Sequence, residues 1–508
     1  MEEISSSGIS KWLVLANLII FSLLSAACGE KQESITKKKD TAVERKSGLS
    51  EDQLEELENL GYVNWVPVDE KDSGSAGVTE YIPELSYQGL NLYNSRARTE
   101  AHLITMDGRV VHTWSSDEAG SAKQKVIERF DKATPRHYEG WNHIEMDKNG
   151  NLFVIGSHHM LLKLDWYSNV KWKAEISAHH DISISENGDI YTIVDVPVTV
   201  NHSGRKLQVL DNHIVILSQD GKVKRRISII EVLKKNEELE RELWKIIQKN
   251  FPENDVDLQE EKPEKSLIKS LRNMLTFVKG RLRKGRKQKL RKLFKLHKKL
   301  YREIVSGNSR EDDAIKIAIL HLSPADVLHS NTIEVIETAR KGFWKQGDML
   351  ICIRELNLIA VIDPDIEEVV WSWGMKDLDK PHQPSVLPNG NIIVFDNGAE
   401  RRFSRIVEVD PEQKSIVWTY KGNPSNSFFS KSRGGCQKLG NGNVLITETN
   451  KGRVFEVTTD GQVVWSFYNP DFKKPESIDE KPKRGGIYRM VRIDESILKN
   501  IIEKLPVE

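Results

Sequence analysis

At 508 residues the chain exceeds what one hydrophobic core of ordinary size holds, so several domains or a repeat architecture are expected. Apolar residues make up 38% of it, which supports a folded protein. The 75 Lys and Arg balance 75 Asp and Glu, so no global charge argues for nucleic-acid binding.

The chain opens on a targeting pattern. Lys11 precedes an apolar run over residues 12–24, and Ser25, Ala26 and Ala27 lead into Cys28 and Gly29. A run of this length with a small-residue exit suits a signal peptide better than a transmembrane anchor. Its small-small-Cys ending is similar to a bacterial lipobox, which predicts export to the periplasm or cell envelope, with a lipid anchor on Cys28. The competing reading is a plain signal peptide or an uncleaved anchor. Residues 29–80 form a tether, lysine-rich and aperiodic over 31–48. Leu54 to Leu60 then show helical spacing, which Gly61 can end.

Repeats dominate residues 81–229 and 321–470. Each unit has an apolar-alternating run, an Asn-Gly-Asn turn or a relative, a β-rich run, a second turn, and an apolar run ending near Trp. The clearest copies contain LPNGNIIVFDNG and LGNGNVLITETN, and Trp371, Trp418 and Trp465 recur at equal spacing. Four strand-sized runs per unit, with Asn-Gly pairs supplying hairpin turns, are what a propeller blade requires. Six units are counted, giving an all-β, six-bladed β-propeller. The segment IYRMVRID, within residues 471–508, is strand-like and is expected to close the ring against the first blade, ahead of a tail helix.

Residues 230–320 interrupt the repeats between the third and fourth blades. Their spacing is helical, with Leu267, Leu271, Leu275, Val278 and Leu282 on one face. Residues 265–302 carry sixteen Lys and Arg and no acidic residue, after an acidic part at Glu237, Glu238, Glu240 and Glu242. Two readings stand: a solvated helical hairpin on the rim, or a basic face against anionic lipid headgroups. Cys352 and Cys436 fall in different repeats and read as free thiols rather than a bridge.

In a propeller the first strand of each blade lines the channel, so the residues that begin it face a shared axial site. Eight positions before the hairpin glycine stand Asn142, His180, His382 and Gly434, with His143 one position away. His329 begins the corresponding strand of the degenerate fourth copy. A lone His at a strand start is ordinarily a satisfied polar residue, but recurrence at one axis implies a shared ligand, metal or water. The pairs His158-His159 and His179-His180 suggest metal, yet neighbours on a strand point to opposite faces, so each pair offers one ligand. Arg354, in the second strand-like run of the fourth blade, has no carboxylate partner visible in sequence. A buried arginine of that kind favours an anionic ligand over a metal.

The set HHDISISENGD, DVLHSN, an Arg on the next strand, HQPSVLPNGNIIVFDNG and IYRMVRI resembles the bacterial aryl-sulfate sulfotransferase family, and so does the opening GLNLYNSRARTEAHLITMDGRVVHTW. The resemblance implies a six-bladed propeller that moves a sulfuryl group from an aryl sulfate to a phenol, without a nucleotide donor or other cofactor and through a sulfohistidine. It implies that His382 is the nucleophile and that His180, His329 and Arg354 bind the sulfuryl oxygens, with Asn331 and His143 as further substrate contacts. Its expected partners are aryl sulfates and phenols, together with the membrane through the lipid anchor, and no nucleic acid. Competing expectations are a noncatalytic propeller lipoprotein that scaffolds an envelope complex or binds an anion, and a metal-dependent propeller hydrolase or lyase.

Overall fold

Apolar alternation broken by tight turns folds here into antiparallel sheets. The computed structural model describes residues 65–68, 72–118, 140–156, 160–202, 204–251, 326–474 and 481–503. Cys28, the tether, the 54–61 helix, the His158-His159 pair and the basic stretch 265–302 lie outside the described residues.

Six sheets contain four or five strands each, and in every one the strands meet in order. The first comprises Ile487–Ile493, Leu90–Ser95, Glu100–Ile104 and Val110–Ser115. The second comprises His143–Met146, Leu152–Gly156, Met160–Leu164 and Val170–Ala174. The third comprises Ala178–Ile184, Ile190–His202, Arg205–Leu217 and Val223–Ser228. The fourth is Ser330–Val335, Met349–Ile353, Leu358–Asp363 and Glu368–Trp373. The fifth is His382–Val386, Ile392–Asp396, Arg405–Asp410 and Ser415–Lys421. The sixth is Gly435–Lys438, Val444–Glu448, Arg453–Val457 and Val463–Tyr468, extended at its outer edge by Gly77–Tyr81. A small separate sheet joins Trp65–Pro67, Lys483–Gly485 and Phe472–Lys473.

From the second sheet to the sixth, each first strand neighbours the next, and the sixth is followed by Ile487–Ile493 of the first. The first sheet in turn meets the second through Leu90–Ser95 and His143–Met146. Two segments distant in sequence thus complete the outer sheets: residues 77–81 pair with the last strand of the sixth sheet, and residues 487–493 with the second strand of the first. Hairpins between first and second strands turn on Gly150, Gly188, Gly390 and Gly442, at φ 77, 84, 81 and 89°. That region is open to glycine at little cost, which is why the Asn-Gly pattern is legible.

The recurring tryptophan ties neighbouring sheets together. Nε1 of Trp172 donates to the Gln219 carbonyl, Trp371 to Pro411, Trp418 to Thr459 and Trp465 to Met106, at 2.8–3.1 Å. Each acceptor sits in the hairpin between third and fourth strands of the next sheet, and the Trp465 bond joins the sixth sheet to the first. In the first sheet His112 Nε2 meets the equivalent carbonyl, Trp166, at 2.8 Å. Replacing the fully buried Trp465 with phenylalanine removes that donor and part of the volume. The expected loss is about 1–3 kcal/mol, read as a lower urea midpoint; an unchanged midpoint would reject the tie.

The third sheet departs from the pattern. Its middle strands run thirteen residues each and pair along their full length, so their hairpin projects beyond the first strand, at the end where first strands begin. Two helices follow, α1 (Ile229–Lys234) and α2 (Glu237–Asn250), capped by Ser228 and Asn236. Leu239, Leu243 and Ile247 recur every fourth residue on α2 and are buried with Val200 and Leu207 of the projecting hairpin. His202 stacks on Trp244 at 4.6 Å. These helices are the described portion of the segment that interrupts the repeats. A third helix, α3 (Glu495–Ile502), follows the closing strand.

Candidate active site

The first strands begin at one end of the six sheets, and there the backbone leaves regular β geometry. His180, His329 and Gln383 have φ of 63, 48 and 41°, a region that non-glycine residues enter only at a cost. Register slips between His179 and Ile182, between Ser330 and Thr332, between His382 and Ser385, and between Ile487 and Met490. These bulges re-aim side chains that a regular strand would send to alternate faces. The rule that adjacent residues diverge therefore fails at His179-His180, whose rings lie 4.8 Å apart.

His382 opens the first strand of the fifth sheet, with only 4% of its surface exposed. Its Nδ1 lies 2.7 Å from Asn397 Oδ1 and 3.3 Å from the Lys380 carbonyl. Burial, then the Arg354 charge, hold its pKa well below the ordinary imidazole value, against the opposing bond to Asn397. The ring is therefore neutral at pH 7.

Arg354 stands just past the second strand of the fourth sheet, which ends at Ile353, in a single 3₁₀ turn closed by Asn357 at φ 52°. It thus leaves the strand-like run in which the sequence places it. It also has a carboxylate partner: Glu355, next in sequence, bonds the guanidinium, and Lys380 Nζ reaches the other oxygen at 2.8 Å. The argument from an unpartnered arginine is corrected accordingly. Burial opposes ionisation of Glu355, but Arg354 and Lys380 outweigh it and hold its carboxyl below the usual range. One carboxylate between two cations leaves a single positive charge beside His382.

His180 and His329 come together, with ring centroids 5.0 Å apart. Nδ1 of His329 lies 2.6 Å from Asp326 Oδ2, and its backbone N–H donates to Asp326 Oδ1 at 3.2 Å. That arrangement leaves Nε2 as the working nitrogen. His180 Nδ1 is 3.3 Å from the Tyr488 hydroxyl, and burial keeps that phenol protonated, well above its ordinary pKa.

Two other predicted contacts are placed differently. Asn331 is buried, with its amide donating to the Pro381 carbonyl at 2.9 Å and its oxygen accepting from Thr332, so it ties the fourth sheet to the residue before His382. His143 is fully buried, its Nε2 3.2 Å from Asp181 and its ring 5.3 Å from Tyr488. Burial pushes the His143 ring below the usual imidazole value. Asp181 also receives Arg489 through both guanidinium nitrogens, at 3.0 and 3.3 Å. Further along the same first strands, burial raises Glu145 and Glu334 to about 7.

Sequence reasoning did not single out Asp326, Glu355, Lys380, Asn397, Tyr488 or Arg489. Asp326 and Glu355 were legible as neighbours of chosen residues, whereas Tyr488 and Arg489 arrive from the far end of the chain. Cys352 and Cys436 are buried free thiols, and burial pushes both well above the ordinary thiol range. Among the described residues no group of three or more His, Cys, Asp or Glu could hold a metal ion.

Comparison with known proteins places this geometry. An Arylsulfotransferase (ASST) family model matches residues 78–379, more than half of the chain, and a second Arylsulfotransferase (ASST) model matches residues 300–470. A search of curated sequences finds no match. Similar solved structures include a protein of unknown function from Bacteroides caccae at 11% identity, covering 80% of this chain and 98% of that one with a TM-score of 0.39. A streptogramin B lyase has 10% identity, covering 80% and 86% at 0.36, and the Dos1 propeller 8%, covering 83% and 78% at 0.34. At those scores the structural likenesses carry no argument.

Proposed function

The chain belongs to the arylsulfotransferase family, and from that premise we propose that it moves a sulfuryl group from an aryl sulfate to a phenolic acceptor through a sulfohistidine at His382. The six sheets are read as the blades of a six-bladed propeller, with the reaction at the mouth where the first strands begin. The observation that carries the reading is the buried, neutral imidazole of His382 beside the Arg354 charge.

In this reading the free ring nitrogen of His382 attacks sulfur. The N–S bond forms as the sulfur–aryl oxygen bond breaks, and the departing phenolate takes a proton from Nε2 of His329, which Asp326 orients through Nδ1. The acceptor phenol then returns a proton to His329 as its oxygen attacks sulfur, which breaks the N–S bond and restores His382. Charge on the equatorial oxygens meets Arg354, with His180 presenting its ring from the third sheet. Export, lipidation of Cys28 and contact of the basic stretch 265–302 with anionic lipid remain part of the proposal.

The test is direct. Purified protein is incubated with a chromogenic aryl sulfate, with and without a phenol acceptor, and its intact mass is recorded. Acceptor-dependent phenol release and a sulfuryl adduct are expected. No turnover across several aryl sulfates, with no adduct, would sink the proposal and favour an anion-binding scaffold; turnover lost on chelation would favour the metal-dependent reading.

A further inference from the structure

The third and fifth sheets place one pair of positions in the same relation but fill it with different chemistry. In both sheets the residue where the first strand meets the bulge faces one just past the core of the second strand. His179 pairs with Ile193 and reaches Asp195, two residues on; His382 pairs with Phe395 and reaches Asn397, two residues on. His179 Nε2 lies 2.9 Å from a carboxylate oxygen of Asp195, whereas His382 Nδ1 lies 2.7 Å from the carboxamide oxygen of Asn397.

The orientation of the Asn397 amide is not a matter of choice. Its Nδ2 donates to the Ser430 carbonyl at 2.7 Å and to the Arg433 carbonyl at 2.6 Å, both in the connection between the fifth and sixth sheets. Backbone carbonyls only accept, so the –NH₂ must face them and Oδ1 must face His382. Oδ1 also only accepts. The other neighbour of His382 Nδ1, the Lys380 carbonyl at 3.3 Å, accepts as well. A neutral imidazole set between these two oxygens carries its proton on Nδ1 and keeps a lone pair on Nε2.

We infer that Asn397 is the positioning residue that holds His382 in its Nδ1–H tautomer, fixing Nε2 as the atom that accepts the sulfuryl group. The inference rests on the sulfohistidine reading given above. A carboxylate at this position, as in the third sheet, would also accept from Nδ1 but would favour the imidazolium, which has no lone pair to offer. The carboxamide sets the same geometry without that charge. The fully buried Asn397 also couples the connection between fifth and sixth sheets to the reacting ring, since both its donors end there.

Two measurements test this. Two-bond ¹H–¹⁵N spectra of the full chain labelled with ¹⁵N-histidine separate bare from protonated ring nitrogens, with His382 assigned by its loss in His382→Ala. Wild type is expected to show a bare Nε2 and a protonated Nδ1 at pH 7. Asn397→Leu keeps the side-chain volume and removes the acceptor. It is expected to show tautomer exchange at His382 and a kcat lower by roughly 10–100-fold with donor KM little changed, the usual penalty for losing an orienting partner. A protonated Nε2 in wild type, or a folded Asn397→Leu with unaltered tautomer and kcat, overturns the inference. The wild-type spectrum decides even if the variant fails to fold. Loss of aryl-sulfate turnover in wild type would instead strike the sulfohistidine reading, so the two failures are distinguishable.

Discussion

His382→Ala is expected to lower sulfuryl transfer by at least about 10⁴-fold and to abolish the sulfuryl adduct, because it removes the nucleophile and not a modulating contact. The variant leaves Asn397 Oδ1 without its donor in a fully buried site, at a cost of about 1–3 kcal/mol. A lowered unfolding midpoint is therefore expected beside the kinetic loss, and circular dichroism separates an unfolded variant from an inactive one. The wild-type pH profile supplies a second signature. Only the neutral ring attacks, and burial and Arg354 place its pKa well below 6.5. Donor kcat/KM is thus expected to stay level as pH falls to 6.5 and to decline only below it. The same ring makes stability fall with acid: it is neutral when folded, while the unfolded chain takes up a proton below about 6.5. An acid limb centred at or above 6.5, or full activity in His382→Ala, rejects the assignment.

Much of this site was legible because the repeat is regular where its turns are strict. Glycine at positive φ fixes the first hairpin, and counting back from it reaches the mouth in every clearly marked copy. The tryptophan period is legible for a related reason, since each Nε1 must meet a carbonyl of the next sheet. The count begins to fail where the backbone departs from period two. The bulge in the third sheet holds one more residue than that in the fifth, so counting pairs His180 with His382 although register matches His179. Arg354 was found by composition, but its partners were not, because Lys380 approaches from the next sheet and only folding brings it to Glu355. Asn397 looked like a turn residue and no more. Tyr488 and Arg489 reach the mouth through a closure joining segments almost four hundred residues apart, which no local pattern signals.

Arg354→Met should reveal whether this arginine acts on the transition state or merely fills space. Methionine keeps much of the side-chain length but removes the charge, leaving Glu355 to Lys380 alone and the trio without its net positive charge. Loss of one donor to the developing charge on the sulfuryl oxygens is expected to lower kcat by about 10²–10³-fold. Arg354→Lys should recover only part of that, because an ammonium lacks the planar fork. The arginine has a second effect of known sign. Its charge disfavours the imidazolium of His382, so removing it must raise that pKa and move the acid limb of kcat/KM upward. A space-filling residue would leave the limb in place, whereas a cation facing both the ring and the sulfuryl group must change rate and limb together. A large loss of kcat with an unmoved limb would place Arg354 outside the electrostatic reach of His382 and assign the stabilising charge to another residue of the mouth.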